Sequence, residues 1–176
     1  PTLDFNGPTD ICLGQSATLS AQFNYADTKI KPVSSYLCLN PSGSNTNNTT
    51  VVQSNCYNSA YENWRIELVT GYTDRYFIKN LGSNLYIRPL NGATANNTPI
   101  TQAIGNDASF HWEIIDHSIG RFHLKHTQSG KYLDVNGGNL SPNTPMILYT
   151  FHGGANQQFY IDGGAIPYYP SVYTYT

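Results

Sequence analysis

Lys131-Tyr132-Leu133-Asp134-Val135 is followed, 25 residues after Asp134, by the aromatic that closes Gln157-Gln158-Phe159. The same pair of marks stands twice more upstream. Tyr36-Leu37-Cys38-Leu39-Asn40 precedes Glu62-Asn63-Trp64, and Leu85-Tyr86-Ile87-Arg88 precedes Phe110-His111-Trp112, with 24 residues from Asn40 to Trp64 and from Arg88 to Trp112. The closing aromatics Trp64, Trp112 and Phe159 lie 48 and 47 residues apart, and Asn40, Arg88 and Asp134 lie 48 and 46 apart. Two marks in phase over three copies define an internal repeat of about 47 residues. Units of this kind cannot bury their apolar faces alone and must pack on one another.

Each copy reads as four short strands. In the third, Arg121-Phe122-His123-Leu124-Lys125 alternates polar and apolar as a half-buried strand does. Lys131–Val135, Pro145-Met146-Ile147-Leu148-Tyr149 and Gln158-Phe159-Tyr160-Ile161 follow, with turns at Asn136-Gly137-Gly138-Asn139 and His152-Gly153-Gly154-Ala155. The second copy gives Tyr76-Phe77-Ile78, Leu85-Tyr86-Ile87, Thr98-Pro99-Ile100-Thr101 and Trp112-Glu113-Ile114-Ile115. The first gives Lys29-Ile30, Tyr36-Leu37-Cys38-Leu39, Thr50-Val51-Val52-Gln53 and Trp64-Arg65-Ile66-Glu67-Leu68. Twelve short strands with threefold repetition predict an all-β, closed architecture around one shared core, which leaves no free sheet edges. The expected division is an N-terminal extension over 1–27, a repeat domain over 28–162 (copies about 28–70, 75–116 and 121–162) and a tail over 163–176. Within the extension, Gln15-Ser16-Ala17-Thr18-Leu19-Ser20-Ala21 alternates like a strand. The segment 11–19 also resembles the opening of immunoglobulin-like modules, but is too short to be one; it is either a docked strand or the end of a preceding domain. The Tyr- and Pro-rich tail pairs back on residues 11–23 or is the remnant of a linker.

Charged residues make up 11% of the 176 and the formal net charge is −2, so no basic face for nucleic acid is expected. No apolar run is long enough for a transmembrane helix. No signal peptide is visible, and a chain that starts at Pro1 without Met is expected to be processed or trimmed. Asn-x-Ser/Thr occurs at Asn47, Asn48, Asn96 and Asn139, a pattern an Asn- and Thr-rich chain generates easily. Cys38 and Cys56 fall in one copy and are read as a disulfide closing a loop of 18 residues, against the alternative of two reduced buried thiols; a bridge implies an oxidising compartment, hence a secreted or cell-surface protein. Cys12 has no assigned partner. No carboxylate pair, nucleophile motif or metal-ligand spacing stands out, and His123 and His126 share a strand at a spacing that puts them on opposite faces. The chain is therefore read as non-catalytic, with no cofactor and no metal.

Asn143-Thr144-Pro145-Met146-Ile147-Leu148-Tyr149 followed by Gly153-Gly154-Ala155-Asn156-Gln157-Gln158-Phe159 resembles the TPVQLW…GGANQQW stretch of ricin-B-type (R-type) lectin domains, and Gly130-Lys131-Tyr132-Leu133-Asp134-Val135 resembles that family's GKCLDV. The resemblance covers about residues 28–162 and is strongest in the third copy. The family's Gln-x-Trp motif stands here as Gln157-Gln158-Phe159, while the first two copies keep Trp and lose Gln. The resemblance implies a β-trefoil of three copies, a Cys38–Cys56 disulfide at the family's intra-repeat position, and a shallow sugar pocket. The matching site residues are Asp134 as acceptor for two adjacent sugar hydroxyls, Tyr149 as stacking platform, Asn156 as a third polar contact and Gln157 as the brace of Asp134 and its loop. Gly137, Gly138 and His152 form the rim. An ionised carboxylate makes the stronger, charge-assisted bonds, and a flat ring covers sugar C–H groups. The competing structural reading makes Asp134 the cap of the Asn136-Gly137 turn and Asn156-Gln157 a support of the fold. The first copy offers Asn40 for Asp134 and Ser54 for Tyr149; the second offers Arg88 and Gln102, so both are expected to be impaired.

The implied function is carbohydrate binding, with galactose, N-acetylgalactosamine or a polysaccharide as ligand and fusion to, or assembly with, another module. A trefoil protease inhibitor acting through the 42–50 loop is the alternative.

Overall fold

The computed structural model describes residues 28–118 and 120–162, together with the backbone of two short strands near the N-terminus. Those two, β1 (Leu3–Phe5) and β2 (Ala21–Phe23), pair antiparallel as a separate two-stranded sheet. Cys12, most of the strand expected over 15–21, and the 163–176 tail lie outside the described residues.

Each copy supplies four strands. The first contributes β3 (Lys29–Pro32), β4 (Cys38–Asn40), β5 (Val52–Ser54) and β6 (Trp64–Leu68). The second contributes β7 (Tyr76–Asn80), β8 (Tyr86–Pro89), β9 (Thr98–Ala103) and β10 (Trp112–Ser118). The third contributes β11 (Arg121–His126), β12 (Tyr132–Val135), β13 (Thr144–Tyr149) and β14 (Phe159–Asp162). The outer strands of the copies close a six-stranded barrel. Within it β6 pairs β7, β10 pairs β11 and β14 pairs β3 along their lengths. The remaining seams are short and share one equivalent pair, Thr28 with Trp64, Tyr76 with Trp112, and Phe122 with Phe159, the last joined by Arg121 with Tyr160. The inner hairpins β4–β5, β8–β9 and β12–β13 meet at one end of the barrel as a three-sided cap, through β13–β5, β13–β9 and the Thr50–Thr101 bridge. A six-stranded barrel capped by three hairpins is a β-trefoil, and the twelve strands are those the repeat calls for.

Every copy sends one equivalent apolar side chain inward from, or next to, each of its four strands. These are Ile30, Leu39, Val51 and Trp64; Ile78, Ile87, Ile100 and Trp112; Leu124, Leu133, Met146 and Phe159, all fully buried in one cluster. Full burial of an aliphatic or aromatic side chain contributes about 1.5–3 kcal/mol, so no copy keeps this layer without the other two. Both Trp indoles also donate to the carbonyl of the second strand in their own copy, Trp64 Nε1 to Leu39 O at 3.1 Å and Trp112 Nε1 to Ile87 O at 3.2 Å. Phe159 has no N–H with which to make the third such bond.

Buried polar side chains fasten the copies to one another. Gln53 Nε2 donates to Asn139 O and Ser141 O, and Gln102 Nε2 to Ser44 O and Thr46 O. The 42–50 loop is therefore tied down to the second copy. A third repeated mark is visible in the backbone. Asn48, Asn97 and Asn143 each have φ of 64–65° and each donate a main-chain N–H across to a neighbouring copy, to Gln102 O, Leu148 O and Gln53 O respectively. Asparagine tolerates this left-handed conformation better than other non-glycine residues.

Cys38 and Cys56 form a disulfide that ties β4 to the loop after β5, as expected. It closes a loop of 18 residues, worth about 3 kcal/mol on the chain-entropy scale. Reduction with a thiol is expected to lower the thermal midpoint, measured by calorimetry, by roughly 6–12 °C for a domain of this size.

Candidate functional site

On β12 the side-chain alternation sends Leu133 and Val135 into the core and Asp134 to the opposite face. The residue is still only 2% exposed, because the 150–157 segment folds over it. Both carboxylate oxygens are held there. Asn156 Nδ2 donates to Oδ1 at 2.8 Å and His152 Nε2 sits 3.0 Å from Oδ2. Asp134 does not cap the Asn136–Gly138 turn, whose start carries no side-chain cap. Burial raises the carboxyl above its ordinary 3.8, against the opposing pull of hydrogen bonds from His152, Gln157 and Asn156. A carboxylate offers about four acceptor positions. The three donors do not exhaust them.

Above this carboxylate lies an open cavity of about 410 Å³. Asp134, Gly137, Gly138, Tyr149, His152 and Asn156 line it, so six of the residues singled out by the sequence converge on one space. Asn136, Ile147 and Asn97 complete the wall. Cross-strand register places Asp134 opposite Ile147 and Tyr132 opposite Tyr149. Asp134 and Tyr149 are thus diagonal neighbours, roughly 7–8 Å apart, about one sugar ring. Tyr149 is half-buried at the rim, with the His152 ring 6.0 Å away at an interplanar angle of 74°. Gly137 turns the chain after β12 with φ of 63° and leaves open space where a Cβ would stand.

Gln157 does not line the cavity; it is fully buried behind it. Its Oε1 accepts from the backbone N–H of His152 at 2.9 Å and of Gly153 at 3.2 Å, and its Nε2 donates to Thr150 O at 3.0 Å. His123 Nδ1 meets Gln157 O at 2.8 Å from below. His126, the other histidine of β11, is also buried, between Ser129 Oγ and Ser109 O. Both histidines are struts, and no group of three metal-ligating side chains forms among the described residues.

The equivalent places in the other copies carry different chemistry. Register puts Asn40 and Arg88 where Asp134 stands, and Ser54 where Tyr149 stands. In the second copy the position of Tyr149 belongs to Ala103, which pairs with Tyr86, and not to Gln102. Counting along the chain misplaced it because the copies differ in length by one or two residues. Gln102 is buried and occupied with the 42–50 loop. Arg88 lays its guanidinium 4.9 Å from the ring of Phe110, the residue in the place of Gln157. In the first copy Glu62 takes the place of Gln157 and repeats its task, accepting from the N–H of Tyr57 at 2.7 Å and of Asn58 at 2.9 Å. Burial alone would raise the Glu62 carboxyl. The two N–H donors and Lys29 outweigh it and hold the group below its usual 4.5.

Asn97, Asn136 and Ile147 are pocket residues that the sequence reading passed over. Asn136 and Ile147 sit inside motifs already marked. Asn97 belongs to the second copy, and only the β9–β13 pairing brings it to the third copy's site.

The sequence profile of the ricin-type β-trefoil lectin domain-like family matches residues 19–103, 60–149 and 108–169. The chain belongs to that family. Among solved structures, the designed threefold-symmetric protein ThreeFoil superposes with a TM-score of 0.73 at 23% identity, over 77% of this chain and 96% of its own. The Macrolepiota procera ricin B-like lectin in complex with lactose gives 0.65 at 22% identity, over 88% and 99%. The exo-β-1,3-galactanase 1,3Gal43A of Clostridium thermocellum gives 0.74 at 20% identity, over 80% of this chain but 31% of its own. A comparison with curated protein sequences gives no match.

The site also fixes a tautomer. Gly154 N–H donates to His152 Nδ1 at 3.2 Å, which leaves the proton on Nε2 to be donated to Asp134. Long-range 1H–15N spectra of the neutral His152 ring are expected to show the Nε2–H tautomer. Gly154→Ala is expected to abolish that signature, since the added Cβ would stand 2.6 Å from Asn156 Oδ1 and 2.8 Å from the His152 ring.

Proposed function

We propose that this chain is a non-catalytic carbohydrate-binding lectin domain whose third copy is the working site, with galactose or N-acetylgalactosamine as the sugar class. The observation that carries the reading is Asp134: a buried carboxylate with both oxygens oriented and acceptor positions to spare, one ring's width from an aromatic wall. Burying a carboxylate is costly, and one opened into a cavity suits a ligand rich in hydroxyl donors. Tyr149 supplies the apolar cover that a sugar's C–H face requires. The Macrolepiota procera lectin holds lactose, a galactoside, which supports this class. One shallow site of this kind binds at about millimolar strength, near −4 kcal/mol, and gains from tethering to another module. The coverage of only 31% of the galactanase chain supports such a module reading. The disulfide supports export to the cell surface or beyond.

Titration calorimetry with a galactoside tests the assignment. Charge-assisted hydrogen bonds are worth about 1.5–3 kcal/mol, so Asp134→Asn is expected to weaken binding at least tenfold. Equal binding by the variant, or protease inhibition that ignores the substitution, would displace this reading.

The same carboxyl predicts a pH dependence. Sugar hydroxyls donate to the ionised form, so affinity is present above the Asp134 pKa and lost as pH falls through it. Because that pKa is raised, the loss is expected above the 3.8 of an ordinary aspartate. For the fold the sign is opposite, since a group that binds protons more tightly when folded adds stability as pH falls between its unfolded and folded values. Near-ultraviolet circular dichroism is therefore expected to stay constant while galactoside binding disappears.

A further inference from the structure

The third copy's cavity has a wall that does not belong to the third copy. Asn97 precedes β9, and pairing of Leu148 with Thr98 sets Asn97 across from Tyr149, on the side away from β12. Asp134 and Asn97 thus flank the cavity from strands separated by β13. Two strand spacings amount to roughly 10 Å. The Asn97 side chain is exposed, lines the cavity and makes no hydrogen bond among the described residues. Its backbone is nevertheless fixed, with the N–H donated to Leu148 O at 2.9 Å. The neighbouring Asn96 takes two hydrogen bonds, each 3.1 Å, from the backbone N–H and hydroxyl of Thr150. The corner is therefore bolted to both ends of the segment that carries Tyr149, while one amide is left free to face a ligand.

Given galactose in the site as proposed above, on which this inference rests, the ring's far edge has a defined identity. A glycan's terminal galactose is linked through carbon 1, so the edge it can turn to Asp134 is the opposite one, with the adjacent hydroxyls at carbons 3 and 4. The atoms opposite them in a pyranose are the ring oxygen and the anomeric carbon, where a glycosidic bond leaves. The geometry points to Asn97 as a specificity-determining residue that hydrogen-bonds the second sugar of a glycan, so that the site takes a galactose-terminated disaccharide or longer chain rather than the free monosaccharide. A cavity of about 410 Å³, with a polar group at each end and an aromatic wall between, suits that length. A residue of one repeat thus completes the site of the next.

The test compares methyl β-galactoside with lactose on the wild type, Asn97→Gly and Asn97→Asp, by titration calorimetry with thermal midpoints as control. Glycine adopts the φ of 64° at this position without strain, so Asn97→Gly removes the amide and keeps the corner. A single neutral hydrogen bond corresponds to roughly 2–10-fold in affinity. Lactose is expected to bind the wild type about fivefold more tightly than the monosaccharide. Asn97→Gly is expected to erase that advantage and leave methyl β-galactoside within about twofold, and Asn97→Asp is expected to shift lactose alone. Equal affinities of the wild type for both sugars, or an equal loss of both in the variants, overturns the inference while the galactose site stands. Binding of neither sugar to the wild type overturns both.

Discussion

Three incomplete units share one core, and everything else in this protein follows from that constraint. Each copy brings four apolar side chains to a common cluster, and the equivalents are all fully buried. None can be withdrawn without opening space beside the other copies, and closely packed interiors tolerate such gaps poorly. Selection on this layer therefore acts on all three copies at once. The hairpins and loops at the cap escape the requirement, and that is where the copies have diverged.

The place that holds Gln157 in the third copy shows the divergence most clearly. There the amide clamps the backbone of the loop that carries His152. In the first copy the carboxylate of Glu62 makes the same two backbone contacts and recruits Lys29 to balance its charge. In the second copy Phe110 replaces the clamp, and Arg88 lies against its ring. This place is thus filled in three different ways, and in the third copy a buried carboxylate stands in front of it beneath an open cavity. Gln157 is buried and does not line the third copy's cavity, while Asp134 stands before it with a raised proton affinity that records its desolvation.

Hydrogen bonds between copies do a second job beyond stability. Gln53, Gln102 and the backbone donors Asn48, Asn97 and Asn143 each cross from one copy to another. Buried polar groups must find partners, and here the partner is regularly in the next repeat. The cap therefore keeps a defined geometry across copies, and a wall residue such as Asn97 sits rigidly beside the third copy's cavity.

Much of this was legible from the chain. The spacing of Trp64, Trp112 and Phe159 and the alternation of the strands announced a closed threefold β architecture, because periodic burial leaves a periodic trace in residue type. The stretch from Asp134 to Asn156 singled out residues that the fold does bring around one cavity, while the equivalent places in the other copies hold Asn40 and Arg88. Other features had no linear trace. Ala103, rather than Gln102, matches Tyr149 because hydrogen-bond register, not residue counting, decides which side chains face one another. Asp134 has His152 and Asn156 on its two oxygens because the 150–157 segment folds back over β12, a contact across 18 and 22 residues. Asn97 reaches the site through a strand pairing between copies, a juxtaposition that exists only once the cap has closed.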